Sequence, residues 1–429
     1  MDSAEGISVR VGRRAARRSV WRLGPGLITG ACNDDPSSVA TYLQVGAQYG
    51  YGLAWTLLLS YPLLVAIQAI SARIGRVTGR GFAGNLRLHY PGWLVGALVG
   101  LLAVANIVNL AADLSAMGAV LKLLLEAPAL LYVCLLALAS VLFHLFTRYS
   151  RYVAVLKWLC LSLLSYVVCA FVVDVPWRQV ARALVLPAWS SKPEYLLAVV
   201  AALGTTISPY LFFWQAQQEV EAARNDGGQS PLQGEAGEAR TEFARIRFDT
   251  LLGMGLSSLV ALFIVITSAS TLHARGITTL QTAAEAAEAL RAVGGRFTVV
   301  LFALGIVGGG LLTLPALANS AAYAVGELLS RPVGPSSGRR GAPIFYIVAA
   351  TAVACSLSFS RVNPMRALYL SAVLNGVIAV PLMIAMMRMC TREAVMGTLR
   401  LSGGLTVLGW LATALMAANV LTLTVAVLI

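Results

Sequence analysis

Charge is what this sequence is short of. Asp, Glu, Lys and Arg make up 12% of its 429 residues, about half the share found in a soluble domain. A chain of this length with so few charges cannot cover a water-facing surface, which excludes a soluble globular fold. Histidine is scarcer still. His89, His144 and His273 fall at segment ends or in loops and form no metal-ligand cluster. No C-x-x-C spacing joins any of the six cysteines, Cys32, Cys134, Cys160, Cys169, Cys355 and Cys390. Most sit in apolar runs and serve as small hydrophobes, not as a disulfide framework. With no histidine placed near its acids and no nucleophile motif, the chain does not read as an enzyme. The basic N-terminal residues are not followed by a plain apolar core with a small-residue cleavage site, so no cleaved signal peptide is expected. The formal net charge of +13 has no soluble basic domain to act through, which excludes nucleic acid as a partner.

Long apolar runs are plentiful instead. "GLAWTLLLSYPLLVAIQAI", "LLYVCLLALASVLFHLF", "VLKWLCLSLLSYVVCAFVV" and "LTVLGWLATALMAANVLTLTVAVLI" are four of them. Several reach the roughly 20 residues needed to cross a bilayer core. The sequence predicts an all-α polytopic membrane protein with eleven spans, at about 23–46, 51–72, 94–124, 128–147, 152–174, 194–221, 248–271, 295–326, 343–360, 365–388 and 404–428. The third and eighth are long enough to tilt. With the N-terminus in the cytoplasm, the loops on that side hold more than twice as many Lys and Arg as those opposite, so the C-terminus falls outside. Residues 1–22 form a basic cytoplasmic segment. The stretch "ARNDGGQSPLQGEAGEARTEF" reads as a mobile loop, and "ARGITTLQTAAEAAEALRAVGG" as a short interfacial helix.

The greasy pattern fails at two places. In "GACNDDPSSVA", Asn33, Asp34 and Asp35 precede Pro36 and two serines. Pro36 lacks an N–H and clashes with the helix before it, so the first span unwinds near its middle. Unwound backbone at membrane depth is tolerated only where protein buries it or it lines a cavity, and a charge there usually faces a pathway. Freed carbonyls such as that of Cys32, the Asp35 carboxylate and the Ser38 hydroxyl are the oxygens a hard cation prefers. Asp34 either joins this set or points elsewhere. The sixth span repeats the break in "LGTTISPYLFFWQ", where Gly204, Thr205, Thr206, Ser208 and Pro209 interrupt an apolar helix. Two breaks five spans apart point to inverted five-helix repeats, 23–174 and 194–388, with a binding site at the midplane. Helix 11, 404–429, stands apart.

Asn106, Asn109 and Asp113 lie on one face of the third span. Asp113 fits a proton acceptor, a salt-bridge partner or a second ion stop, and equally a hydrogen bond between helices. The two asparagines read as interhelical glue. Asn375 in the tenth span fits either a ligand amide or packing. Glu219 and Glu221 follow the second break and fit a solvated helix end or an ion exit path.

These residues resemble the Nramp family of divalent-metal transporters. The family's Asp-Pro-Gly-Asn motif is similar to Asp35, Pro36, Ser37 and Ser38, and "QVGAQYGYGLAW" continues the match. Its Met-Pro-His motif aligns with Ser208, Pro209 and Tyr210, and the likeness extends through "AADLSAMG" across most of the chain. The resemblance implies a LeuT-type fold with discontinuous helices 1 and 6. It also implies a metal held by Asp35, Ser38, the carbonyls of Cys32 and Thr205, and residue 208. The metal is then cargo; no cofactor is expected, and the partners are the ion and the lipid bilayer, with no obligate protein partner.

The departures carry information. Ser38 stands where the family has Asn, Ser208 where it has a Met ligand, Tyr210 and Gln215 where it has His, and Ala116 where it has Glu. Hydroxyl in place of thioether moves preference toward hard ions. Loss of two His and a Glu removes much of the family's proton path. The pattern resembles the divergent Nramp-related magnesium transporters, which implies Mg²⁺ or Mn²⁺ carried by alternating access across the cell (inner) membrane without proton coupling. Asp34, Asp113, Asn109, Thr206, Tyr210 and Gln215 are then accessory to the path. The alternative is another small solute, such as an amino acid, organic ion or anion, on the same scaffold. A metal sensor is disfavoured because no soluble signalling domain is appended.

Overall fold

The computed structural model describes residues 24–429, apart from 126, 147–148, 188, 226–230, 233–235, 281–282, 330–346, 349, 356–363, 402 and 429. The basic segment 1–22 and most of the ninth span, 343–360, lie outside the described residues. No strand occurs among those described. In chain order the helices are α1 (Pro25–Ala31), α2 (Pro36–Tyr49), α3 (Ala54–Thr78), α4 (Phe82–His89), α5 (Gly92–Leu125), α6 (Ala129–Phe146), α7 (Tyr149–Leu159), α8 (Leu164–Val172), α9 (Trp177–Val185), α10 (Pro193–Thr206), α11 (Pro209–Asn225), α12 (Ala236–Thr271), α13 (Ala283–Leu328), α14 (Pro364–Thr391), α15 (Glu393–Met396) and α16 (Gly404–Leu428).

Eight of the described helical stretches are long and apolar enough to cross a membrane. The first span is not among them: α1 ends at Ala31 and α2 starts at Pro36, so its pieces have 7 and 14 residues. The sixth is broken between Thr206 and Pro209, with Ile207 outside the helical range. Both breaks fall where the sequence puts a proline after polar residues.

Several elements differ in detail from the sequence expectation. The fifth span is not one helix; a 3-10 turn, Cys160–Leu163, joins α7 to α8. Short helices α4 and α9 fill loops. α4 exists because Glu327, at the end of α13, accepts from the Gly81 N–H (3.0 Å) and the Gly84 N–H (2.6 Å), supplying the cap that Gly81 lacks. The loop before the seventh span is helical from Ala236 onward, because Glu238 and Glu242 reach the buried Arg76 of α3. Residues from Ala283 form a helix as expected, set off from the eighth span at Gly295, whose φ of 70° only glycine adopts easily.

α1 is short, and its hold on the bundle comes from α12. Gly26, Gly30 and Gly253 let the two backbones meet, and a Cβ at Gly30 would collide with the main chain of Gly253. Small residues at such crossings replace the hydrophobic drive that lipid does not supply. Gly30→Ala is therefore expected to cost about 1–3 kcal/mol, read as a lower melting temperature of the purified protein in detergent. Gly100→Ala, where nothing lies within 4 Å, is expected to leave it unchanged.

Candidate metal-binding site

The two breaks face each other in the buried centre. Asp35 is the N-cap of α2, in extended conformation, and its Oδ1 accepts from the Ser38 N–H at 2.6 Å and the Ser37 hydroxyl at 2.8 Å. Capping of this kind satisfies amides that lipid cannot. Its Oδ2 accepts from Asn109 Nδ2 of α5 at 2.8 Å, and Asn109 Oδ1 in turn accepts from Ser371 of α14 at 2.6 Å. Asp113, one turn further along α5, accepts from the Ser37 N–H at 3.0 Å. One carboxylate thus gathers α2, α5 and, through Asn109, α14.

The facing break meets this set directly. Ser38 Oγ lies 2.8 Å from Thr205 Oγ1, and Tyr42 Oη lies 3.0 Å from Thr206 Oγ1. Ser208 turns back on its own helix and donates to the carbonyls of Thr205 (2.8 Å) and Gly204 (3.2 Å). Tyr210, in the first turn of α11, donates to the Cys32 carbonyl at 2.6 Å. Asn33 closes the other side. With its amide turned about the last side-chain bond, it donates to the Thr205 and Thr206 carbonyls at 3.2 and 3.1 Å and accepts from Ser257 at 3.0 Å.

Cys32, Asp35, Ser38, Thr205, Thr206, Ser208, Asn109, Asp113 and Tyr210 therefore belong to one buried network. Asp34 points toward α12, where its Oδ1 lies 3.1 Å from Ser257 Oγ and shares that one hydroxyl proton with Asn33. Its Oδ2 and Asp113 Oδ2 have no hydrogen-bond partner among the described residues. Asn375 is buried on α14 beside Gly376, which packs on Gly204, and its Oδ1 likewise has no partner. Gln215 lies two turns down α11 and donates to Glu219 at 3.4 Å. No group of three His, Cys, Asp or Glu side chains able to hold a metal occurs among the described residues. The donors at the breaks are one carboxylate with hydroxyls and carbonyls.

Glu219 and Glu221 do not form a solvated helix end. Both are buried; Glu219 pairs with Arg245 of α12 at 2.5 Å, and Glu221 with Arg224 at 3.7 Å. α3 and α13 pack on α11, and Arg245 reaches Glu219 from α12, which a count of polar residues along α11 cannot reveal. Ser257, Ser371 and Tyr42 are site-lining residues that the sequence reading passed over. A single serine in an apolar helix carries no periodic signal. Tyr42 does stand one turn after Ser38, on the same helical face.

Two helices interrupted opposite one another in a helical membrane bundle define a LeuT-type transporter. The chain belongs to the Nramp family: the family model described as natural resistance-associated macrophage protein-like matches residues 26–426. It is 28% identical over 423 residues to the divalent metal cation transporter MntH of Acidiphilium cryptum, covering 94% of this chain and 91% of that protein. It is 27% identical over 316 residues to MntH of Yersinia pestis, covering 71% and 73%. Its fold is similar to that of the Eremococcus coleocola manganese transporter, with a TM-score of 0.77, 18% identity, and 96% and 87% coverage. It is also similar to Mhp1, a nucleobase-cation-symport-1 transporter, with a TM-score of 0.56, 13% identity, and 94% and 93% coverage. The chain is an integral membrane transporter and not an enzyme. A metal is cargo for this family, not a cofactor.

The Asp35–Asn109–Ser371 chain can be tested by itself. Asn109→Leu leaves a buried carboxylate oxygen and a hydroxyl without partners, at about 1–3 kcal/mol per group. A lower melting temperature is expected, and a smaller drop when Asp35→Asn is already present, because the two side chains share one bond.

Proposed function

We propose that this chain carries a hard divalent cation, Mg²⁺ first and Mn²⁺ second, by alternating access without proton coupling. The observation that carries the reading is the convergence of Asp35, Ser38 and the Cys32 carbonyl at the first break with the Thr205 hydroxyl and Tyr210 at the second. Asp35 is the charged ligand. Ser38, Ser208, Asn375 and the Cys32 and Thr205 carbonyls give oxygens, directly or through water. Asp34 and Asp113 add negative potential beside the path. The relatives named above are called divalent metal cation and manganese transporters, which supports the divalent class.

The preference for a hard ion rests on the donor set. Serine at 38 and 208 offers hydroxyl oxygens and no thioether, and oxygen donors suit Mg²⁺ and Mn²⁺. Mg²⁺ sheds water reluctantly, so a site built from small hydroxyls suits a partly hydrated ion. Tyr210, Gln215 and Ala116 leave few groups able to carry a proton along this route. The membrane potential then suffices as a driving force, at about 2.3 kcal/mol per charge per 100 mV and about twice that for a divalent ion. In this reading the chain sits in the cell (inner) membrane with its N-terminus in the cytoplasm and its C-terminus outside. Residues 23–174 and 194–388 act as the two inverted halves.

The test is flux into proteoliposomes. Mg²⁺ and Mn²⁺ influx is expected in the parent, equal with and without a proton gradient, and nearly absent in Asp35→Ala. Unchanged metal flux in that variant removes the ligand set, and flux that scales with the gradient removes the uncoupled mechanism. No metal flux, together with uptake of a small organic solute, favours the other-solute reading. Ser208→Met restores a soft donor and is expected to raise Cd²⁺ transport relative to Mg²⁺.

A further inference from the structure

The Cys32 carbonyl is a proposed ligand whose oxygen accepts from a side chain of the opposite broken helix. Tyr210 Oη donates to it at 2.6 Å, and both residues are fully enclosed: Cys32 is 0% and Tyr210 1% exposed. The carbonyl is at the C-cap of α1, where the backbone N–H groups of Cys32 and Asn33 already close the turn onto Ile28 and Gly30. Its own intrahelical acceptor role has ended there. It is thus an oxygen the break sets free, and Tyr210 occupies it.

We infer that Tyr210 is a specificity-determining residue, acting by keeping the cargo from bonding directly to the Cys32 carbonyl. The inference rests on the proposed ligand set. The tyrosine hydroxyl takes one of the carbonyl's two lone pairs and so competes with an ion for that oxygen; a direct bond to the ion requires the hydroxyl to share the oxygen or leave, and a retained water does not. An ion that keeps its water is admitted on those terms, and Mg²⁺ is such an ion. An ion that sheds water readily and gains from a direct carbonyl ligand is held back. Mn²⁺ is such an ion relative to Mg²⁺. Tyr210 lies in the first turn of α11 after Pro209, and it is buried along with Phe212, Phe213 and Trp214 that follow; Tyr210→Phe keeps the ring. Removing the hydroxyl therefore uncovers the carbonyl without emptying the space.

The experiment is direct titration of purified protein with Mn²⁺ and with Mg²⁺, reading the ratio of the two dissociation constants. That ratio does not depend on how much protein is folded. Tyr210→Phe is expected to shift the ratio toward Mn²⁺ by about three- to tenfold, the factor that one hydrogen bond confers. Tyr61→Phe removes a hydroxyl bound to the Leu251 carbonyl, away from the breaks, and is expected to leave the ratio unchanged. A shift in Tyr210→Phe alone supports the inference. An unchanged ratio, a shift toward Mg²⁺, or an equal shift in Tyr61→Phe overturns it while leaving the ligand set standing. Failure of the parent to bind either metal overturns the ligand set and this inference together.

Discussion

A helix that begins inside a membrane must find partners for its first amides, and the rest of this structure follows from that need. Water is absent and lipid accepts no hydrogen bonds. Asp35 meets the need for α2 by accepting from Ser38 N–H, while Asp113 takes the neighbouring amide of Ser37. An acid that caps a buried helix is itself a buried charge, so it needs donors on its other face. Asn109 supplies one and is held by Ser371. The ends of the preceding half-helices have the opposite problem, carbonyls without donors. Tyr210 answers it for Cys32, and Ser208 and Asn33 answer it for Thr205. The oxygens proposed to bind the cation are engaged in, or lie beside, these structural caps.

That overlap explains why the described state is closed on itself. Each proposed ligand except Asn375 is engaged with another protein group at the breaks. On the proposed ligand set, an incoming ion exchanges those bonds for its own; it does not fill an empty cage. The exchange is close to balanced when hydroxyls and waters trade places, because a net hydrogen bond is worth only about 0.5–1.5 kcal/mol. It is expensive when a bare ion must first be stripped. A carrier benefits from the balanced case, since cargo held too firmly is not released.

Much of this was legible in the sequence because the breaks are punctuated. Pro36 and Pro209, each after a run of small polar residues, mark positions that no apolar helix would choose. Asp35, Ser38 and Thr205 follow from them. Ser371 and Ser257 did not follow, since one hydroxyl in an apolar helix has no spacing to betray it, and their meaning lies in which helix they face. Asn109 was read as glue between helices; it does bridge α5 to α14, and its other end rests on the Asp35 carboxylate. The burial of Glu219 was hidden for a different reason. Its partner Arg245 lies 26 residues away along the chain, just past a stretch whose glycines and charges read as loop. Helix α4 was invisible because its cap, Glu327, comes from the far end of another helix.

The charges at the outer end of α1 complete the same logic. Asp249 accepts from the N–H groups of Gly24 (2.9 Å), Gly26 (2.6 Å) and Leu27 (3.2 Å), so α1 is capped by α12 and not by its own side chain. Arg245, one turn earlier on α12, binds Glu219 of α11, and Glu242 links Arg245 to Arg76 of α3. α1 and α11, the two half-helices joined by Tyr210 at the centre, are thus joined again at their ends through α12. Moving α1 away from α11 requires both ties to open, one polar and small at the break, the other running through the buried Asp249 and Glu219 and the part-buried Arg245. Charges buried in pairs resist separation strongly, because each partner left alone has lost its hydration. On the proposed reading, the outer tie sets most of the cost of opening on this side, and the inner tie, a single hydroxyl on a carbonyl, is the weaker of the two.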